Sequence, residues 1–223
     1  MKESCRIGLL GGTFDPLHNG HLAVARAVRD QLGLDQVLLI PASRPPHKLH
    51  YPITPFALRA VMIRAALTGE PTLGLSLIEA ETNGPSFSID TLERLAPSLG
   101  HRQAYFIIGA DAFADIASWK RFQDIPPLAS LVVVNRDDTT LKDAPQAVIS
   151  RHFPQFTSVS AGVWRAEGQG DIVLVGMPQV DISSTMIRDR VRRGGDISAL
   201  VPGAVAEAIV RHGFYGQGSQ KRN

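Results

Sequence analysis

Residues 11 to 21 read Gly11-Gly12-Thr13-Phe14-Asp15-Pro16-Leu17-His18-Asn19-Gly20-His21, and the segments on either side of this run decide the fold. Before it stands Ile7–Leu10, a short apolar stretch with the pattern of a buried strand. After it, Leu22, Ala25, Val28 and Leu32 recur on one helical face, Arg26, Arg29 and Asp30 fall on the other, and Gly33 supplies a stop. The glycine turn and both histidines therefore lie between a first strand and the N-terminus of a first helix. In an open α/β sheet that is where main-chain N–H groups and the positive end of the helix dipole attract phosphate. Gly11 and Gly12 remove side chains so that the backbone can approach a ligand. His18 and His21 stand three apart, so both imidazoles can address one phosphate group. The expected ligand is a nucleotide.

The bulk composition narrows the setting. A chain of 223 residues with 44% hydrophobic and 20% charged residues can bury one good core, and residues 1–223 are expected to form a single domain. A net charge of +2, with no basic stripe interleaved with aromatics, argues against a nucleic-acid partner. The single cysteine, Cys5, allows no intrachain disulfide and no multi-cysteine metal site, which suits the reducing cytoplasm. It is expected to pack beside the first strand. The first apolar run is too short for a signal peptide or a membrane span, so no membrane association is expected.

Strand-like and helix-like segments alternate along the rest of the chain. Apolar runs at Val37–Ile40, Leu73–Ile78, Tyr105–Ile108, Leu131–Val134 and Ile172–Val175 read as further strands. Helical character is expected in 55–67 (with Leu58, Met62 and Ala65 on the buried stripe and Arg59 elsewhere), from Ser88, near 144–152, and in 184–193 and 204–211. This order predicts an α/β fold: a Rossmann-like, doubly wound parallel sheet with helices on both faces. Residues 137–170 read as the least regular segment, and 216–223 as a frayed tail.

A second anion-binding pattern stands near the end, Ile182-Ser183-Ser184-Thr185-Met186-Ile187-Arg188. Ser183 or Ser184 can cap a helix, and Ser184, Thr185 and Arg188 can share one face of its first turns. Hydroxyls, N–H groups and a guanidinium at one helix start form a site for phosphate oxygens. Two such helix starts facing one crevice would hold a triphosphate between them.

These two motifs resemble the nucleotidylyltransferase superfamily and its His-x-Gly-His signature. Pro45-Pro-His-Lys48, Pro85-Ser-Phe-Ser-Ile-Asp-Thr-Leu92, Phe106-Ile-Ile-Gly-Ala-Asp111, Ser118-Trp-Lys120 and the closing Val201–Tyr215 segment narrow the match. In this order they are similar to the bacterial nicotinate-nucleotide adenylyltransferase family. The resemblance implies transfer of an adenylyl group from ATP to nicotinate mononucleotide, giving deamido-NAD and pyrophosphate, with Mg²⁺ accompanying ATP. Alternatives are a sister enzyme acting on nicotinamide mononucleotide or phosphopantetheine, a cytidylyltransferase for a small alcohol phosphate, or a nucleotide sensor without turnover.

Residue by residue, the resemblance implies that His18 and His21 grip the ATP phosphates and steady charge on the α-phosphoryl. Gly11, Gly12, Thr13 and Phe14 would line the nucleotide loop. Ser184, Thr185 and Arg188 would hold the β- and γ-phosphates, and Lys48, with His47, would add charge from a facing loop. For the second substrate, Trp119 would stack on the pyridine ring, and Ser88 with the Ile89 amide would receive the carboxylate. Asp111 would meet a ribose or nearby backbone. Lys120 stands where relatives often carry an aromatic, and could attract the carboxylate. Arg136 could touch a phosphate, although Asp137-Asp138 follows it where relatives often have Pro-Gly. Phe87-Ser88 replaces a common Tyr-Thr pair.

Overall fold

The computed structural model describes residues 5–46, 52–81, 84–135 and 144–216. Its frame is one eight-stranded sheet. The strands are β1 (Arg6–Gly12), β2 (Gln36–Pro41), β3 (Leu73–Leu75), β4 (Gln103–Gly109), β5 (Ser130–Asn135), β6 (Thr157–Ser160), β7 (Val163–Arg165) and β8 (Ile172–Gly176). They lie in the order β3-β2-β1-β4-β5-β8-β7-β6. The pairings from β3 across to β8 are parallel, with Leu9 opposite both Leu38 and Phe106. The helices are α1 (Asn19–Leu32), α2 (Phe56–Ala66), α3 (Ser88–Leu99), α4 (Ala110–Ala114), α5 (Ala144–His152), α6 (Ser184–Arg192) and α7 (Gly203–His212).

The sheet is covered on both faces because its central strands are apolar on both. Leu10, Ile107, Val132 and Val134 point to a layer formed by α1, α2, α6 and α7, with Val28, Met62, Ile187 and Val205 in the packing. Their neighbours Leu9, Phe106, Ile108, Leu131 and Val133 point to the opposite layer, which holds Leu92 of α3, Phe113 of α4 and Ile149 of α5. Continuous apolar strands are the signature of such a doubly covered sheet. Gly33 ends α1 in the left-handed conformation at φ 59°, as the sequence predicts.

The expected doubly wound α/β fold is present, with one addition and two corrections. To its parallel strands β6 and β7 add an antiparallel hairpin that extends the β8 edge. All four residues of β6 are exposed, so no apolar alternation marked it in the sequence. Cys5 is exposed rather than packed, because burial begins in β1 itself. On α2 the buried stripe is Arg59, Met62, Ile63 and Ala66, while Leu58 is exposed.

Candidate active site

The chain steps outward from β1 to β2 and β3, then returns to lay β4 against the other side of β1. Adjacent connections therefore leave in opposite directions at the carboxyl ends of β1 and β4, and such a switch point opens a crevice. A cavity of about 400 Å³ occupies it. It is lined by Leu10 to Gly12 and Phe106 to Gly109, by His21, and by Ser86 to Ser88, Trp119 and Lys120.

The first motif builds the turn between β1 and α1 by packing its own side chains underneath it. Phe14 takes φ 49° and is buried. Its ring stands about 2.8 Å from where a β-carbon on Gly12 would be, so a side chain there would force the ring or the backbone to shift. Gly11 differs: a β-carbon there would touch only Phe106, at 3.9 Å. His18 precedes α1 in extended conformation as its N-cap. The His18 main-chain N–H donates to Nδ1 of His21 at 3.2 Å. That bond assigns Nδ1 as an acceptor, so the neutral His21 ring carries its proton on Nε2. The two imidazoles stack with centroids 3.6 Å apart, and Phe14 meets His21 edge-on. Gly20 leaves room for the His18 ring, whose Nδ1 would sit 3.1 Å from a β-carbon there. Not every first-turn amide of α1 is available: Asn19 donates its N–H to the Leu200 carbonyl at 2.9 Å.

The second motif docks onto the first. Ser183 is the N-cap of α6, its hydroxyl accepting the Met186 N–H at 3.1 Å. Ser184 has another task, donating its hydroxyl to the Pro16 carbonyl at 2.9 Å. Arg188 donates from Nη1 to the Asp15 carbonyl at 2.7 Å and from Nη2 to the Thr185 hydroxyl at 3.1 Å. Thus α6 is fastened to the Asp15–Pro16 side of the loop that carries the histidines. Thr13, Phe14, His18, Ser184, Thr185 and Arg188 belong to this neighbouring cluster rather than to the cavity lining.

Around the remaining wall, Trp119 is half-buried and meets Phe106 edge-to-face at 6.3 Å. It lines the cavity while packing against the core layer that holds Phe106. Ser88 opens α3 at the cavity, and no side chain caps that helix. Its first-turn amides and dipole therefore favour an anion there. The Ile89 side chain is core, which leaves its amide as the group of interest. Lys120 donates to both carboxylate oxygens of Asp90 at 2.8 Å and lies over the Phe87 ring. Asp111, at the start of α4, folds back over Gly109. Lys48, His47 and Arg136 lie outside the described residues.

A buried polar group beneath the site escaped the sequence reading. Arg59, 1% exposed, donates from Nε to Thr54, from Nη1 to Thr13 and from Nη2 to Ala42, at 2.8, 2.6 and 2.8 Å, each time to a main-chain carbonyl. Burial lowers its proton affinity, opposed by the nearby Asp15, Tyr215 and Glu79, and a guanidinium stays cationic under such conditions. Glu79, buried in the cavity wall, accepts the Ser43 N–H at 3.0 Å and the Thr91 hydroxyl at 2.7 Å. The Tyr215 hydroxyl donates to Asp15 at 2.7 Å. Arg59 had one legible signal, its place three before Met62 and four before Ile63 on a helix stripe. Glu79 had none, and Tyr215 only its place at the end of the Val201–Tyr215 segment. Among the described residues no three His, Cys, Asp or Glu side chains gather as a metal cage, and no helix is long and apolar enough to cross a membrane.

Comparison with known proteins bears on the whole of this arrangement. The family description Cytidylyltransferase-like matches residues 9–190, which takes in both motifs. A protein of Trichlorobacter lovleyi is 39% identical over 94% of this chain and 99% of its own length. One of Geobacter metallireducens is 40% identical over 94% and 98%, and one of Thermus thermophilus 37% over 94% and 99%. All three are named probable nicotinate-nucleotide adenylyltransferase. Among solved structures, the nicotinic acid mononucleotide adenylyltransferase of Plasmodium falciparum complexed with NaAD superposes with a TM-score of 0.71. It covers 95% of this chain and 97% of its own at 16% identity, a likeness of fold.

Proposed function

Because the chain belongs to the Cytidylyltransferase-like family and, within it, to the nicotinate-nucleotide adenylyltransferases, we infer that it transfers the adenylyl group of ATP to nicotinate mononucleotide in NAD biosynthesis. Deamido-NAD and pyrophosphate are the products. A phosphate oxygen of the mononucleotide attacks the α-phosphorus in line. As that P–O bond forms, the bond to the β-phosphate oxygen breaks, and its electron pair leaves with pyrophosphate. The attacking phosphate is already ionised, so catalysis rests on placement and charge stabilisation rather than on a base. The single observation that carries the reading is the one cavity that joins Gly11, Gly12 and His21 to Ser88 and Trp119 across the sheet's switch point.

On this reading the Nε2–H of His21 donates to the α-phosphoryl oxygens, with His18 stacked beside it. The main chain at Gly11 and Gly12, shaped by Thr13 and Phe14, accommodates the nucleotide. Arg188 keeps its Nη1–H on the Asp15 carbonyl and offers its remaining N–H groups to the β- and γ-phosphates, beside Ser184 and Thr185 at the start of α6. ATP enters as its magnesium complex, the ion riding on phosphate and water oxygens, a form that needs no protein cage. Lys48 and Arg136 are assigned as supplementary phosphate cations by their place in the sequence alone. Trp119 stacks on the pyridine ring, and the uncapped start of α3 at Ser88 and Ile89 takes the carboxylate. Lys120 adds little net charge while it is paired with Asp90. Asp111 faces a ribose. We place the reaction in the cytoplasm, where one unpaired cysteine is at home.

The test is pyrophosphate release with MgATP and, in parallel, nicotinate mononucleotide, nicotinamide mononucleotide and phosphopantetheine. A kcat/KM for the nicotinate nucleotide about 10²-fold or more above the others is expected, because an N–H-rich pocket left unpaired rejects the amide. Preference for another acceptor would keep the phosphate chemistry and discard the pyridine pocket. ATP binding without release would indicate a sensor.

A further inference from the structure

Asp15 sits in the loop between β1 and α1, buried, and partners from three distant parts of the chain converge on it. Tyr215 donates its hydroxyl to Oδ1 at 2.7 Å, and Thr54 donates its N–H to Oδ2 at 3.2 Å. Arg188 donates to the Asp15 carbonyl at 2.7 Å. Two residues earlier in the same loop, the Thr13 carbonyl is held by Arg59. A carboxylate fixed at both oxygens cannot turn, so the main chain that bears it is fixed as well. That main chain presents the Asp15 carbonyl to Arg188 and the Pro16 carbonyl to Ser184.

Tyr215 lies just beyond α7 with φ 64°, a conformation uncommon for a residue with a β-carbon. Packing alone would be served by a phenylalanine. The hydroxyl has a separate purpose, since a buried carboxylate is tolerable only with charge and hydrogen-bond partners. We propose that Tyr215 is a positioning residue for adenylyl transfer, holding Asp15 so that Arg188 keeps its place. The proposal rests on the functional reading above for the identity of the reaction, though not for the coupling itself.

A double-mutant cycle of Tyr215→Phe and Arg188→Ala tests it, with kcat and both KM values from pyrophosphate release, melting temperatures, and the dissociation constant for ATP. Tyr215→Phe should lower kcat about tenfold while the KM for nicotinate mononucleotide stays within about twofold. In the Arg188→Ala background the same change should alter kcat by less than about twofold. An unchanged kcat in Tyr215→Phe, or factors that simply multiply, would overturn the proposal. Should Tyr215→Phe melt below the assay temperature, Asp15→Asn, which retains an acceptor oxygen, takes its place in the cycle under the same criteria. If the wild-type protein shows no turnover with nicotinate mononucleotide, the functional reading fails by itself. The cycle is then read in ATP binding, where non-additive losses support the positioning role and additive ones overturn it.

Discussion

Gly11 and Gly12 are neighbours that lack a side chain for opposite reasons. A methyl group at residue 12 meets the Phe14 ring, itself buried, whereas one at residue 11 meets almost nothing in the protein and enters the cavity. Gly12→Ala should therefore cost stability, on the order of 1–3 kcal/mol as overpacking does, seen as a lowered urea midpoint. Gly11→Ala should melt with the wild type and raise the KM for ATP severalfold. The reverse pattern would show that the nucleotide does not lie over β1. Trp119→Ala should raise the KM for nicotinate mononucleotide about tenfold or more, the worth of one ring stacked on a base, and leave that for ATP within about twofold. A rise confined to ATP would reassign the pocket. At this scale the sequence was most legible where residues gather in one short run. His18 and His21 are three apart, and their joint placement could be read directly. Charge alone places Arg59 on an exposed face, and its acceptors, separated along the chain, become neighbours only when β1 and β2 are paired.

Among the elements, α6 carries two adjacent serines with separable duties. Ser183 caps the helix, so Ser183→Ala should cost about 1 kcal/mol in thermal or denaturant unfolding. Ser184 links the helix to the Pro16 carbonyl and, on the proposed reading, lies beside the phosphates, so Ser184→Ala should weaken turnover more than it weakens the fold. Equal effects from both would contradict this division. The sequence left the choice of cap open because either hydroxyl suits the position, and only the direction of the preceding backbone decides it. Strands β1, β4 and β5 were legible as unbroken apolar runs, since both their faces are covered. The hairpin of β6 and β7 was not, because an exposed edge asks little of its side chains and its register follows from a neighbour already in place.

For the molecule as a whole, the Asp15–Tyr215 bond joins residues 200 positions apart, and it has a signature in pH. Burial, and then the Asp15 carboxylate, push the Tyr215 phenol well above its ordinary value of 10.0. A folded-state value above the unfolded one means that the stabilisation is whole below about pH 10 and drains away as pH rises toward the folded value. Melting temperature should thus fall more steeply above pH 10 in the wild type than in Tyr215→Phe, and parallel slopes would contradict this. The sheet order was legible only in outline, since strand adjacency depends on the chain's return past β1 rather than on any local pattern. That return has a consequence for biosynthesis. A ribosome delivers the histidine loop early and Tyr215 some two hundred residues later. Throughout that interval the nascent chain holds the histidine loop without the contact that completes its shape. A translation product released short of Tyr215 would carry every histidine and glycine of the motif, yet on the positioning proposal it would turn over slowly, and incomplete copies would compete weakly for ATP in the cell.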